Sequence, residues 1–187
     1  MLLCATLAAA TGTLLWAESP KIGESAPDFS LSSIDGKMIR LGDRIAAGPV
    51  VLVVLRGYPG YQCPFCNRQV ADFLQNAREF SDARTRVMLV YPGPPDGLQQ
   101  HASEFAAGRT LPGHFDLLLD PDYRTTNLYG LRWNAPHETA YPSTFVISRA
   151  GVVVFSGISK QHGGRTTATE VLDALKHNRS AAAGLQK

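Results

Sequence analysis

Cys63-Pro64-Phe65-Cys66 follows, after the seven-residue loop Arg56 to Gln62, the apolar run Val50 to Leu55 (VVLVVL). A run of this length without a polar residue, four of its six members valine, fits a strand covered on both faces. Beyond the cysteines, Val70, Phe73, Leu74, Ala77 and Phe80 recur at helical spacing, and Pro64 suits the first position of the helix they predict. A buried strand, a loop and a helix that opens on two cysteines commit this part of the chain to an α/β arrangement. They also place both sulfurs at a helix N-terminus.

The flanking segments extend the pattern. Asp28 to Ile34 and Lys37 to Leu41 flank Asp35-Gly36, a dipeptide that favours a tight hairpin. Arg86 to Tyr91 (RVMLVY) reads as a second buried strand, closed by the turn-rich Pro92 to Gly97 and followed by a helix over Leu98 to Ala107. Phe115 to Leu119 predicts a short strand, Asp120 to Tyr129 a short helix begun by an acidic cap, and Gly130 its stop. Thr144 to Ser148 and Val152 to Ser156 form a second hairpin around Arg149-Ala150-Gly151, and a helix over Thr167 to His177 closes the chain. Strands alternating with helices, without repeat or linker, predict one α/β domain: a central mixed sheet flanked by helices, with an N-terminal hairpin extension.

At 187 residues the chain is long enough for one such domain, read here as 22–178, with 179–187 as a mobile tail. The net charge is only +2, with no basic cluster to neutralise a row of phosphates, so nucleic acid is not an expected partner. Met1 to Ala17 is apolar, carries no charge and is short for a membrane span. It matches the hydrophobic region of a secretory signal, cleaved after Ala17 or retained as an anchor, although the usual basic start is missing. The expectation is an exported protein, periplasmic or anchored facing the periplasm. If the segment is removed, Cys4 goes with it and Cys63 and Cys66 remain as the only cysteines, in an oxidising compartment.

At the helix start both sulfurs feel unpaired backbone N–H groups and the positive end of the helix dipole, which favour a thiolate. The expected catalytic pair is Cys63, attacking from a sulfur that faces solvent past the helix end, and Cys66, resolving the mixed disulfide. Pro64 stiffens the turn between them. Two other uses of a C-x-x-C stay open: a zinc site and an inert disulfide. Zinc requires two further ligands, and His101, His114, His137, His162 and His177 offer no matching spacing. A bridge closing so short a loop constrains little of the unfolded chain. The histidines read as surface or locally hydrogen-bonded groups, and no metal or other cofactor is expected.

Tyr141-Pro142-Ser143-Thr144 places a proline just before an apolar strand, where it cannot donate to the ladder and can adopt the cis form. Together with the cysteine pair and the βαβ order, this resembles the thioredoxin fold, whose members set a cis-proline beside the active-site pair to dock substrate. The resemblance implies a substrate groove lined by Tyr141 and Pro142, with Pro59 and Pro64 as further substrate-binding positions. It extends to redoxins of the AhpC/TSA (peroxiredoxin-like) superfamily over roughly residues 22–177, one domain in length. Ala26-Pro27-Asp28-Phe29 precedes the hairpin as it does there. Pro59 to Cys66 reproduces the P-x-x-x-T-x-x-C spacing, with Cys63 in the threonine position and Cys66 in that of the peroxidatic cysteine. Asp120-Pro121-Asp122-Tyr123, Leu128-Tyr129-Gly130 and Thr144-Phe145-Val146-Ile147 with Gly151 resemble later family segments.

The chain departs from these families at three points. Cys63 replaces the threonine that orients peroxide. Pro142 replaces the arginine that polarises peroxide, leaving Arg56, Arg68 or Arg132 to serve from elsewhere. No Asp or Glu lies between Val50 and Gln62 to match the buried carboxylate of thioredoxins. The function this implies is thiol-disulfide exchange through a Cys63-Cys66 dithiol/disulfide, with protein or small-molecule thiols and disulfides as partners and an unidentified electron donor. The alternative is a thiol-dependent peroxidase that reduces hydroperoxides, with Cys66 peroxidatic and Cys63 resolving.

Overall fold

A computed structural model describes residues 18–184, so the apolar segment Met1 to Ala17 and its expected role in export lie outside the described residues. Strands β1 (Ser30–Ser33) and β2 (Met38–Arg40) pair antiparallel around the Asp35-Gly36 turn, where Gly36 adopts a φ of 78°. Helix α1 (Leu41–Ala47) leads into β3 (Val50–Val54), and α2 (Pro64–Gln75) follows the cysteine loop. The helical pattern expected to run on through Phe80 breaks at Asn76. Its side-chain amide donates to the Asp72 carbonyl, and Phe80 belongs to a separate helix, α3 (Ala77–Asp82).

Strand β4 (Arg86–Gly93) continues two residues into the stretch expected as a turn, because Pro92 and Gly93 still pair with Asp120 and Pro121 of the next parallel strand. Helix α4 (Leu98–Ala106) and strand β5 (Phe115–Pro121) follow. The acidic-cap helix is shorter than its sequence suggests. Asp120 ends β5, and α5 spans only Arg124–Leu128. Asp120 nevertheless caps it, because its fully buried carboxylate accepts the N–H groups of Thr125 and Thr126 and the Thr126 hydroxyl. Strands β6 (Ser143–Ile147) and β7 (Val153–Ile158) form the second hairpin. Helix α6 (Ala168–Gly184) extends through most of the segment expected to be a mobile tail, a run of helix-compatible alanines after Ser180.

The sheet order is β2-β1-β5-β4-β3-β6-β7, with β3, β4 and β5 parallel and β6 and β7 antiparallel to their neighbours. All five residues of β3 are buried, and their alternation serves two layers. Val51 and Val53 pack with Val70, Phe73, Phe80, Phe105, Val171 and Leu175 from the helices on one face. Val50, Leu52 and Val54 pack with Phe29, Leu41, Tyr129, Leu131 and Phe145 on the other. This double cover fixes β3 from both sides, and its exit loop leads to the cysteines.

Candidate active site

The loop leaving β3 is anchored before it reaches the cysteines. The Leu55 N–H donates to the Val90 carbonyl, and the Arg56 N–H donates to Cys66 Sγ at 3.4 Å. Gly57 then turns with a φ of 69°, lying so close to β4 that a Cβ would overlap the Pro92 carbonyl oxygen. Gln62 fixes the far end: its amide donates to the His101 carbonyl and accepts the Tyr91 hydroxyl at 2.9 Å, while Tyr58 stacks on the His101 ring. Cys63 takes the N-cap position with extended backbone, Pro64 opens α2 and Cys66 sits in its first turn.

Both cysteines are free, and both are buried, at 1% and 2% relative exposure. This corrects the expectation that the Cys63 sulfur faces solvent past the helix end. The segment from Ser159 to Thr167, between β7 and α6, passes across the dithiol. Its Arg165 Nη2 lies 3.5 Å from Cys63 Sγ and 3.6 Å from Cys66 Sγ. The segment is tied down on both sides. The Ser159 N–H donates to the Pro142 carbonyl, the Gln69 amide donates to the Thr166 carbonyl, and the Asp72 carboxylate accepts the Ala168 N–H.

The two thiols are driven apart. The Cys63 thiol is pulled down to about 5 by the hydrogen bond it accepts from Cys66, against the effect of burial, with help from the Cys66 and Phe65 N–H groups and the Arg165 charge. The Cys66 thiol is pushed up because it gives that hydrogen bond to Cys63 and is itself buried. The dithiol therefore carries its thiolate on Cys63 and its proton on Cys66.

Arginine reaches the sulfurs from a place not singled out in the sequence. The Arg56 side chain, 2% exposed, points away, donating from Nε to Glu138 (2.7 Å), from Nη1 to the Tyr61 hydroxyl (2.7 Å) and from Nη2 to the His137 carbonyl (3.0 Å). Arg68 lies over the Phe65 ring, and Arg132 lies over Tyr123 while donating to the carbonyls of Trp133, Glu138 and Thr139. Burial alone would raise the Glu138 carboxyl, but hydrogen bonds from Arg56 and His162 hold it below the ordinary carboxylate range. Glu138 thus joins the cysteine loop to the covering segment through His162, 2.7 Å away. The other predicted hydrogen-bonded histidines behave as read: His101 contacts Glu104, and His114 contacts the Ala77 carbonyl.

Of the four expected substrate-binding positions, Pro142 precedes Ser143, which pairs with Val54 of β3, so it flanks the end of the strand that feeds the cysteine loop. The Tyr141-Pro142 bond is trans, not cis. Tyr141 stacks on Trp133 and lies beneath Lys160. Pro59 is half-buried in the loop and Pro64 is exposed at the helix start. A cavity of about 300 Å³ beside α2 is lined instead by Phe65, Arg68, Gln69, Asp72 and the segment from Gly163 to Thr167. Among the described residues no three His, Cys, Asp or Glu side chains gather as a metal site.

A seven-stranded mixed sheet flanked by helices, with a dithiol opening the helix after β3, defines a redoxin of the thioredoxin fold. The chain belongs to the AhpC/TSA family, matched over residues 22–156. It is 31% identical over 137 residues to a protein of Mycobacterium tuberculosis named as a putative peroxiredoxin, covering 71% of this chain and 81% of that one. In structure it resembles peroxidoxin BcpB of M. tuberculosis, with a TM-score of 0.67 at 22% identity over 84% of this chain and 97% of that one. It also resembles the structure described as thiol:disulfide interchange protein DsbE of Chlorobium tepidum, with a TM-score of 0.62 at 24% identity over 84% and 99% of the two chains. The protein is a thiol-dependent oxidoreductase of the peroxiredoxin-like superfamily.

Proposed function

We infer that the protein catalyses thiol-disulfide exchange, cycling Cys63 and Cys66 between dithiol and disulfide. The observation that carries this reading is the placement of the pair, with Cys63 as the N-cap of α2, Cys66 in its first turn and Arg165 Nη2 3.5 and 3.6 Å from the two sulfurs; the lowered Cys63 thiol and raised Cys66 thiol agree with it. In the oxidative direction the Cys63 thiolate attacks one sulfur of a disulfide RSSR and expels RS⁻. Cys66 then attacks the Cys63 sulfur and expels the second RS⁻, its proton passing to the departing thiolate. With one proton taken from solvent by the first RS⁻, the sum is the thiolate–thiol pair plus RSSR giving protein disulfide plus two RSH. Substrate chains approach along Tyr141, Pro142, Pro59 and Pro64. The apolar segment 1–17 supports a site of action outside the cytoplasm, where such exchange operates.

A second reading is supported by the donors around Cys66, the Arg56 N–H at 3.4 Å and Arg165 at 3.6 Å. There a hydroperoxide ROOH oxidises Cys66 to a sulfenic acid and releases ROH, and Cys63 condenses with it to the same disulfide and water. It requires a Cys66 thiolate, which burial and the hydrogen bond that Cys66 gives to Cys63 disfavour. The two readings separate in stopped-flow oxidation of the reduced protein at about pH 6. A thiol shifted from about 9 to about 5 gains roughly 10³-fold in thiolate and loses roughly 10²-fold in nucleophilicity. Exchange with a small disulfide should then run roughly tenfold faster than for free cysteine, and peroxide oxidation should show no acceleration beyond what this larger thiolate fraction supplies. Rapid peroxide oxidation with slow exchange would reverse the assignment.

A further inference from the structure

Arg165 combines two features: two buried guanidinium nitrogens without a hydrogen-bond partner and, among the described residues, no carboxylate nearby. Arg44, Arg56 and Arg86 each have a carboxylate within 4.0 Å. Among the described residues no carboxylate pairs with Arg165, and its Nε and Nη1 are buried without any hydrogen-bond partner. Among the described residues the polar contacts of its guanidinium are the two sulfurs, at 3.5 and 3.6 Å. The anion that compensates this guanidinium is therefore the cysteine pair itself, and only in its reduced form, because a disulfide carries no charge. Oxidation leaves a partly buried cation with nothing opposite it, a state that costs free energy.

We propose that Arg165 makes the Cys63-Cys66 disulfide an oxidant, by binding the dithiol and not the disulfide, so that the substrates are thiols which the protein oxidises. This rests on the exchange reading above. The protein disulfide accepts two electrons from two substrate thiols: one R′S⁻ attacks Cys63, a second R′S⁻ attacks that mixed disulfide and displaces Cys63 as the thiolate facing Arg165. One of the two protons released by the thiols goes to Cys66 and the other to solvent. The products are the protein dithiol and R′SSR′, and a disulfide of still higher potential reoxidises the dithiol. A dithiol stabilised in its reduced form is the general basis of a strongly oxidising pair.

The sign is fixed by the linkage. Cys63 is lowered to about 5, so above that pH the reduced state gains stability that the disulfide does not share. Removing Arg165 takes away part of that gain and relieves the uncompensated cation of the oxidised state; both changes favour the disulfide.

The test equilibrates the wild type, Arg165→Gln and Arg165→Lys with glutathione redox buffers at about pH 7 and reads the dithiol fraction, alongside the pH midpoint of Cys63 thiolate absorbance. In Arg165→Gln the equilibrium should move at least ~tenfold toward the disulfide, about 30 mV more reducing, and the thiolate midpoint should rise. Arg165→Lys keeps the charge and should fall between the two. A merely structural role would place Arg165→Lys with Arg165→Gln and leave the thiolate midpoint unmoved. An unchanged or more oxidising Arg165→Gln, with normal equilibration, overturns the proposal while leaving the exchange reading intact. A wild-type pair that fails to equilibrate with glutathione overturns the exchange reading itself.

Discussion

Cys66→Ser protein, reduced and then exposed to a small disulfide, is expected to accumulate a stable mixed disulfide on Cys63, visible as a discrete mass increase, whereas Cys63→Ser should form almost none. The asymmetry follows from the site. Cys63 caps α2, where the Cys66 and Phe65 N–H groups and Arg165 hold its thiolate, and serine at 66 still offers a hydroxyl to donate to it. Cys66 left alone is deeper, with burial working against its ionisation. Without Cys66 the second step has no thiol, so the first product persists. The Cys63→Ser protein should lose at least roughly 10²-fold in exchange rate, in line with loss of the activated thiolate at neutral pH. Equal trapping in the two variants would contradict the assignment of roles.

Glu138→Ala is expected to be the most destabilising single change outside the core. The Arg56 side chain is 2% exposed and Glu138 9%, and their 2.7 Å contact joins the cysteine loop to the segment from Trp133 to Ala140. Removing the carboxylate leaves a buried guanidinium with only the Tyr61 hydroxyl and the His137 carbonyl as acceptors. Breaking a buried pair from one side costs about 3–5 kcal/mol, which for a domain of this size lowers the melting temperature by roughly 10 °C. Glu138→Gln, retaining an acceptor for Arg56, should lose less. A drop within about 2 °C for Glu138→Ala, measured by thermal unfolding of the reduced protein, would show that this pair does not fasten the loop.

Much of this arrangement is legible in the sequence because its signals are local. Val50 to Leu55 is a two-sided strand by its own composition, Asp35-Gly36 specifies its turn, and Pro64 between two cysteines marks where α2 begins. The errors arise where distant groups intervene. Asp120 carries the expected cap, but β5 extends to Pro121 through pairing with β4, so α5 starts only at Arg124. Asn76 interrupts a continuous apolar periodicity through a hydrogen bond to Asp72 that periodicity does not encode.

The site shows the same division. Its two cysteines stand within four adjacent residues, but Arg165 lies 102 positions from Cys63 in a polar segment without periodicity, and nothing near it in sequence marks it as a partner of sulfur. The covering segment also explains why Cys63 is buried where the helix terminus alone suggests exposure. Glu138, 82 positions from Arg56 in sequence, reaches the β3 loop as the partner of Arg56.

The central claim is that the reduced pair carries its thiolate on Cys63. Its most direct test is brief alkylation of the reduced wild-type protein at about pH 6, with the modified residue located by peptide mass spectrometry and the rate followed with pH. The account predicts modification of Cys63 ahead of Cys66, at a rate that rises with pH through about 5 and then levels off. Modification of Cys66 first, or a rate that climbs only near the ordinary thiol value, would contradict it.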